Sequence, residues 1–214
     1  MNLISNPVEI EKQSFAIIAA GLAGRQINPQ HENIVKRVIH TTADFGYVDT
    51  LVFSDGVVGI AKEALKNGAK IITDTNMAKS GVNKKAARHL GCDVFCFIDA
   101  PEVAEAALVS GLTRSREAVD RAALTLENPM IFVVGNAPTA LIRLCELIHQ
   151  RMLSPALIIA APVGFVNVVE SKDMVLQLEV TFIVAKGQKG GSNVAAAICN
   201  ALLYETIRME DGSK

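Results

Sequence analysis

The sequence has no long apolar run, no block of like charge and no paired cysteines, and each absence excludes a class of protein. The longest apolar stretches, such as 156–163, are far shorter than the roughly 20 residues that a membrane-spanning helix needs. Glu9, Glu11 and Lys12 interrupt any signal-like start, which predicts a cytoplasmic protein with no membrane partner. A net charge of -1 without a run of like charges also argues against nucleic acid as a partner.

The four cysteines show no Cys-x-x-Cys spacing. Cys92, Cys96, Cys145 and Cys199 lie mostly in apolar contexts, which favours reduced structural thiols over a metal or redox role. Since no cluster of His, Cys, Asp and Glu has ligand spacing, no protein-held metal is predicted. The absence of a Gly-x-Ser-x-Gly elbow leaves hydrolase chemistry little support.

What the sequence does contain is an alternation of short Val-, Ile- and Phe-rich runs with longer helical stretches. This pattern, in 214 residues of which 50% are hydrophobic, predicts one α/β domain with a single doubly wound, mostly parallel sheet and helices on both faces. The predicted strands are 48–53, 70–73, 94–98, 130–134, 156–160 and 180–184. The predicted helices of this part are 55–66, capped by Asp55, 115–126, 138–151, with Pro138 in its first turn, and 194–204.

The first 45 residues contain no convincing strand and predict two helices, 7–23 and 29–42. We expect them to form a helical N-terminal extension that packs against the sheet or against a second subunit. The expected organisation is a single domain over 1–214, with an arm at 1–45, a sheet core at 46–208 and a polar tail at 209–214.

Ligands of open parallel sheets bind beyond the carboxyl ends of the strands, so the loops that follow the strands are candidate sites. Residues 73–77 and 99–102 offer short polar side chains that either cap helices or contact a ligand. Gly135 and Asn136 open a helix whose free amides can bind an anion, although a tight turn explains them equally well. Phe165 either supports a flat hydrophobic ligand or, more ordinarily, packs into the core.

The last predicted strand runs into a glycine-rich loop and then a helix, an arrangement that can cradle an anion. Its candidate residues are Lys186, Lys189, Gly190, Gly191 and Ser192. The loop has neither the Gly-Lys-Ser/Thr of a Walker A motif nor Gly-x-Gly-x-x-Gly spacing. A nucleotide-dependent enzyme is therefore a weakly supported alternative.

His40 is the histidine with the most promising surroundings, since it closes a predicted helix. Thr41, Thr42 and Asp44 follow it and could fix its tautomer for acid/base chemistry. Spacing alone also allows a helix cap or a surface residue. The other three histidines look ordinary.

Five ordered motifs make the chain similar to the precorrin-8X methylmutase family, which includes enzymes acting on cobalt-precorrin-8. The resemblance covers nearly the whole chain and rests on PVEIEKQSF at 7–15, RVIHTTAD at 37–44, VGNAPTAL at 134–141, PVGFVN at 162–167 and KGGS at 189–192. One departure is Gly46, where an acidic residue is expected in many relatives. This difference could loosen the loop after His40.

The resemblance implies an isomerase of cobalamin biosynthesis that moves a methyl group from C11 to C12 of the macrocycle. Precorrin-8 would give hydrogenobyrinic acid, and cobalt-precorrin-8 would give cobyrinic acid, with His40 as general acid/base. No methyl donor or separate cofactor is expected, because any cobalt belongs to the substrate.

The substrate implied by the resemblance carries seven carboxylates, and the family implies a homodimer with its site near the interface. The expected substrate contacts are Ser14, Thr41, Thr42, Arg114, Arg116, Gly135, Asn136, Lys186, Lys189, Gly190, Gly191 and Ser192. A non-catalytic protein that carries a corrinoid is the alternative, because a cradle for the product would also serve a carrier.

Overall fold

The computed structural model describes residues 4–211, with side chains described as far as residue 208. Its strands are β1 Leu51–Phe53, β2 Lys70–Thr73, β3 Val94–Phe95, β4 Met130–Val134, β5 Leu157–Ala160 and β6 Phe182–Ala185. They form one sheet in the order β1-β6-β5-β4-β2-β3, in which every neighbouring pair is parallel except β1 with β6. The predicted mostly parallel sheet is thus confirmed.

Eleven helices connect and cover these strands within the described residues. They are α1 Pro7–Gly21, α2 Glu32–Thr42, α3 Tyr47–Thr50, α4 Val57–Lys66, α5 Asn76–Gly81, α6 Lys84–His89, α7 Pro101–Ser110, α8 Arg114–Thr125, α9 Pro138–His149, α10 Val168–Leu176 and α11 Ser192–Asp211. Within this part of the chain, none of them combines the length and apolarity that a membrane crossing requires.

The two faces of the sheet bury two separate cores, because side chains alternate along each strand. On the first face, Ile71, Ile131 and Ile183 pack with α2, α4 and α11. On the second face, Ile72 and Phe132 pack with α8, α9 and α10. Helices therefore cover both faces, as the sequence predicts for a doubly wound fold.

The N-terminal helices differ in how deeply they join the core. α2 buries Ile34, Val35, Val38 and Ile39 in the first core, whereas Ile18 is the residue that α1 buries. α2 is therefore a full member of the first layer, and α1 lies outside it against α2. α11 continues to Asp211, so the predicted tail begins inside a helix, and residues 212–214 lie outside the described part.

Three local predictions differ from the structure. Residues 48–50 belong to α3 rather than to a strand, since the amides of residues 47–49 bond to carbonyls three positions earlier. Asp55 does not cap α4: the N-cap is Gly56, in a left-handed conformation with φ 67°, and none of the described side chains bonds to the amides there. The predicted strand at 94–98 ends at Phe95.

Candidate active site at the carboxyl ends of the strands

The strand order reverses between β2 and β4, which places a crevice beyond their carboxyl ends. Asp74, directly after β2, points across this crevice to the start of α9. Its carboxylate accepts hydrogen bonds from the amides of Gly135, Asn136 and Ala137 at 2.8 to 2.9 Å. Burial raises the pKa of Asp74, and the three N–H donors act against that rise.

This contact corrects the interpretation of Gly135 and Asn136. Their amides, predicted to bind a substrate anion, already serve the protein's own carboxylate. The sequence allowed residues 73–77 to be either helix caps or ligand contacts. Thr75 is a helix cap, since its hydroxyl accepts from the amide of Ala78. Asp74 connects the loop after β2 to the loop after β4 through its hydrogen bonds.

The segment 187–191, here called the glycine loop, crosses the ends of β5 and β4 before α11 begins. A Cβ on Gly190 would lie 2.2 Å from the carbonyl oxygen of Ala161, so no larger residue fits there. The amide of Gly191 donates to that same oxygen at 2.8 Å. Ser192, mostly buried, shares a 2.8 Å hydrogen bond with the Thr75 hydroxyl.

Lys172 on α10 supports the glycine loop from beneath. Its side chain is fully buried, and its Nζ donates to the carbonyls of Gly187 at 2.6 Å and Lys189 at 2.9 Å. Burial lowers the pKa of Lys172 to about 8. Sequence reasoning did not single out this residue and missed its role.

His40 lies in the last turn of α2, with its ring exposed and stacked on Phe15 of α1. The ring centroids are 5.1 Å apart, and the planes differ by 5°. Two of the three predicted polar partners are engaged elsewhere, since Thr42 donates to the carbonyl of Val38 and Asp44 binds Lys189. Within residues 4–208, no side chain hydrogen-bonds to the His40 ring, so aromatic stacking orients it.

A cavity of about 260 Å³ opens beside His40 and Thr41. One wall is a stripe of α11, because residues three, four or seven positions apart share a helix face. Its lining residues are Arg37, His40, Thr41, Gly81, Asn193, Ala196, Ala197, Asn200 and Tyr204. Asn193 is exposed there, whereas Asn200 is bonded to the backbone of Gly81 and Asn83.

A larger cavity of about 400 Å³ adjoins this one, since Arg37 and Tyr204 line both, and Phe15, on which His40 stacks, lines the larger one. Arg37 lies over the rings of Phe15 and Tyr204 and pairs with Glu11. Lys12 and Arg208 also line this cavity, and no carboxylate of the described side chains lies within ion-pair distance of either. The region beside His40 therefore offers unpaired positive charge.

Lys189 links the glycine loop to the turn that follows His40. Its Nζ lies 2.6 Å from Oδ2 of Asp44, whose Oδ1 accepts from the amide of Gly46 at 2.8 Å. The Lys189 ammonium holds the pKa of Asp44 below its usual value. A Cβ on Gly46 would lie 2.9 Å from the Asp44 carboxylate, so the glycine leaves room for this compact turn.

The remaining predicted contacts are distributed around the carboxyl edge. Ser14 is half-buried next to Phe15 and donates to the carbonyl of Ile10, and Lys186 is exposed beside the glycine loop. Arg116 forms a two-bond pair with Glu146 on α9, at 2.6 and 2.9 Å, and is therefore not free for a ligand. Arg114 is exposed near the start of α9, where Thr113 bonds to Thr139.

Phe165 is 83% exposed, and Val166 beside it is 78% exposed. The more ordinary expectation, that Phe165 packs into the core, is wrong. The amide of Gly164 donates to the carbonyl of Gln188, which holds this apolar segment against the glycine loop rather than over the sheet.

Cys92, Cys145 and Cys199 are buried free thiols, and Cys96 is partly exposed. Burial raises the pKa of Cys92 and of Cys145 to about 11. Among the described residues, no group of three or more His, Cys, Asp or Glu side chains is arranged to hold a metal ion.

Sequence reasoning missed Phe15, Arg37, Asn193 and Lys172 as parts of this region, and it left Asp74, within 73–77, as either a helix cap or a ligand contact. The sequence could have indicated Asn193 and Asn200 as site residues. Their amide side chains are seven positions apart, and therefore on one face, in a helix of small apolar residues. The roles of Asp74 and Lys172 depend on contacts between distant segments, which no local pattern reports.

The fold and the site define a doubly wound α/β protein with an exposed histidine and a glycine loop at the carboxyl edge of its sheet. A model of the precorrin-8X methylmutase family matches residues 9–205. The chain therefore belongs to the precorrin-8X methylmutase family, whose members are isomerases of cobalamin biosynthesis.

Individual relatives agree with this assignment over most of their length. The chain is 46% identical to the cobalt-precorrin-8 methylmutase of Salmonella typhimurium, covering 95% of this chain and 98% of that protein. It is 39% identical to the precorrin-8X methylmutase of Pseudomonas aeruginosa, covering 92% and 94%. A crystal structure of a Thermus thermophilus precorrin-8X methylmutase superimposes with a TM-score of 0.86 at 36% identity, covering 94% and 98%.

These relatives confirm the family and the isomerase class expected from the five motifs. Their names give no support to the carrier alternative. Nor do they favour a nucleotide-dependent enzyme.

Proposed function

We propose that this protein moves a methyl group from C11 to C12 of precorrin-8 or cobalt-precorrin-8, with His40 as the general acid/base. The single observation that carries the proposal is the exposed His40 ring, held by Phe15 at the mouth of a cavity. An imidazole there can exchange a proton with a bound macrocycle without first breaking a hydrogen bond inside the protein.

The reaction requires a proton donor and a substrate that is bound in a fixed position. Protonation of the conjugated ring by His40 makes the migration terminus more electron-poor, so the C11–methyl bond breaks as the C12–methyl bond forms. Return of the proton to His40 then leaves the corrin chromophore. The methyl group stays within one molecule throughout, and any cobalt remains part of the substrate.

The surroundings of His40 suit a polycarboxylate. Lys12 and Arg208 offer positive charge in the adjoining cavity, Thr41 and Ser14 offer hydroxyl groups, and Lys186 is exposed beside the glycine loop. The exposed Phe165 and Val166 supply apolar surface for the flat face of a macrocycle. We retain Arg114, rather than the paired Arg116, as the arginine that meets a substrate carboxylate.

We further propose that the protein acts as a cytoplasmic homodimer, in which residues 1–214 form one methylmutase domain. The apolar side chains that α1 exposes, such as Val8 and Ile17, favour a partner subunit on that side of the molecule. The same helix carries Phe15, so a subunit bound there would adjoin His40.

The test is an anaerobic visible-absorbance assay with precorrin-8 and with cobalt-precorrin-8. Wild-type protein is expected to produce the corrin spectrum, and the faster substrate identifies the pathway branch. His40→Ala is expected to retain binding and to lose at least about a hundredfold in turnover, the usual contribution of acid/base catalysis. His149→Ala is the matched control, because His149 is also exposed in the last turn of its helix, α9.

Equal turnover by the wild type and His40→Ala would remove His40 from the mechanism. Binding without conversion by both proteins would instead support a corrinoid carrier.

A further inference from the structure

We propose that Lys172 is a positioning residue, which holds the glycine loop in its substrate-binding shape by donating hydrogen bonds to the carbonyls of Gly187 and Lys189. The proposal concerns a residue to which neither the five motifs nor the family assignment gives a role. Its effect on substrate binding rests on the proposed function, whereas its effect on the loop does not.

The contacts are short and spread along the loop. Nζ of Lys172 lies 2.6 Å from the oxygen of Gly187 and 2.9 Å from that of Lys189. The carbonyl between them, of Gln188, accepts from the amide of Gly164 at 3.2 Å. Three successive peptide groups of the loop are thus fixed by the segment that connects β5 to α10 and by α10 itself.

The burial of Lys172 is costly, which points to a specific role. Its side chain has an exposed fraction of 0%, and no carboxylate among the described residues lies within ion-pair distance. Burial of an ammonium group without a counter-ion is unfavourable, and an apolar side chain would fill the same space at lower cost. What lysine adds here is a donor that reaches two carbonyls at once.

The fixed loop orients groups that face the candidate site. Lys189, one of the two bonded residues, sends its own Nζ to Asp44 in the turn after His40. Gly190 and Gly191 then lead directly into Ser192, which bonds to Thr75. Loss of the two Lys172 hydrogen bonds would loosen the part of the loop between Gln188, which is bonded to Gly164, and Gly191, which is bonded to Ala161.

The buried ammonium also adds positive charge beneath the loop. No described carboxylate neutralises it, and Lys186 is exposed on the same segment. A substrate carboxylate that binds at the loop is therefore stabilised both by the fixed backbone and by this positive charge. Loss of Lys172 should raise KM more than it lowers kcat, because His40 is not in contact with the loop carbonyls.

The experiment compares Lys172→Met with Ser171→Ala. Ser171 is equally buried on the same helix, but its hydroxyl donates within the helix, to the carbonyl of Val168. Trypsin cleavage after Lys186 and Lys189, followed by mass spectrometry, reports opening of the loop. Cleavage after Lys62, which lies inside α4 and pairs with Glu205, reports global unfolding.

Lys172→Met is expected to accelerate loop cleavage about tenfold or more, in line with the loss of hydrogen bonds to a charged group, and to leave cleavage after Lys62 unchanged. Its KM should rise by a similar factor, with kcat nearly unchanged, while Ser171→Ala resembles the wild type in both readouts. If Lys172→Met yields no folded protein, Lys172→Gln takes its place, because a glutamine amide is too short to bridge both carbonyls.

Wild-type loop cleavage in a folded Lys172 variant would overturn the proposal, whatever the substrate measurements give. Faster loop cleavage with an unchanged KM would confine Lys172 to the loop and overturn the substrate-binding part. If the wild type converts no corrin precursor but Lys172→Met still shows faster loop cleavage, the positioning role is retained and the proposed function is rejected.

Discussion

Asp74 and Lys172 are charged side chains that the protein buries without an ion-pair partner among its described residues. Asp74 accepts from three backbone amides, and Lys172 donates to two backbone carbonyls. Both residues act on loops at the carboxyl ends of the strands. Backbone dipoles thus take the place of counter-ions. Each charged side chain also fixes a loop that is distant from it in the sequence.

Replacement of Asp74 by alanine should destabilise the protein strongly. The change leaves the amides of Gly135, Asn136 and Ala137 buried or half-buried without their acceptor, at an expected cost of about 3 kcal/mol in the free energy of unfolding. Urea unfolding followed by circular dichroism measures this cost. Asp99→Ala, which removes a carboxylate bonded only to the exposed Asn76, is the control and should cost less than about 1 kcal/mol.

A loss for Asp74→Ala no larger than for Asp99→Ala would mean that water replaces the missing carboxylate.

The cysteines should react with a thiol reagent in proportion to their exposure. Burial raises the pKa of Cys92 and Cys145 to about 11 and that of Cys199 to about 12, so at pH 8 these thiols stay protonated and shielded. Titration of the native protein with Ellman's reagent at pH 8 should label Cys96 first and the other three slowly. Rapid labelling of all four without denaturant would contradict the buried positions.

α11 is the element on which the site is assembled. Its first residue bonds to the loop after β2, one stripe of its residues lines the His40 cavity, and α2 packs along its length. Small residues make this possible, since Ala195, Ala196 and Ala197 let neighbouring elements approach closely. The glycine loop before α11 and Gly135 beside it serve the same close packing.

At the element scale, Gly135→Ala should separate α11 from the turn between β4 and α9. A Cβ at this position would lie 2.6 to 2.9 Å from backbone atoms of Gly191 and Ser192, which cannot move aside as a flexible side chain would. The expected cost is about 2 kcal/mol or more, with reduced turnover, because α11 carries one wall of the cavity.

Gly59→Ala is the matched control, since a Cβ on Gly59 inside α4 meets nothing within 4 Å. That change should stabilise the protein by about 0.5–1 kcal/mol, the usual gain for alanine over glycine in a helix. Both variants are compared by thermal unfolding. Similar behaviour of the two would show that Gly135 is not tightly packed in solution.

At the scale of the whole molecule, two exposed apolar regions lie far apart in the sequence. Val8 is 76% exposed on α1, and Leu108 is 85% exposed on α7. Exposed apolar surface of this kind favours association, and α1 is the region that also carries Phe15 beside His40. The proposed homodimer therefore predicts a different outcome for changes on the two helices.

Light scattering after gel filtration should give a mass near twice the 22.8 kDa of one chain. The double change Val8→Glu and Ile17→Glu should shift the protein to monomer and lower its turnover. Leu108→Glu with Val109→Glu, which places the same charges on α7, should leave the dimer intact. Dissociation by the α7 changes alone would place the interface on the other side of the molecule.

Much of this protein follows from its sequence. The β-branched runs and the helix signals determined the doubly wound class and the position of most elements, because strand and helix periods are local properties. The five motifs determined the family. The catalytic role of His40, the cytoplasmic location and the dimer remain predictions.

Tertiary structure alone decided which groups are available for a ligand. Asp74 occupies the amides of Gly135 and Asn136, Glu146 occupies Arg116, and Phe165 lies outside the core. Each of these outcomes depends on a partner tens of residues away in the chain or on the path of a loop. Sequence periodicity reports which face of an element is buried, whereas the pairing of a buried charge with a distant backbone group is fixed only when the chain has folded.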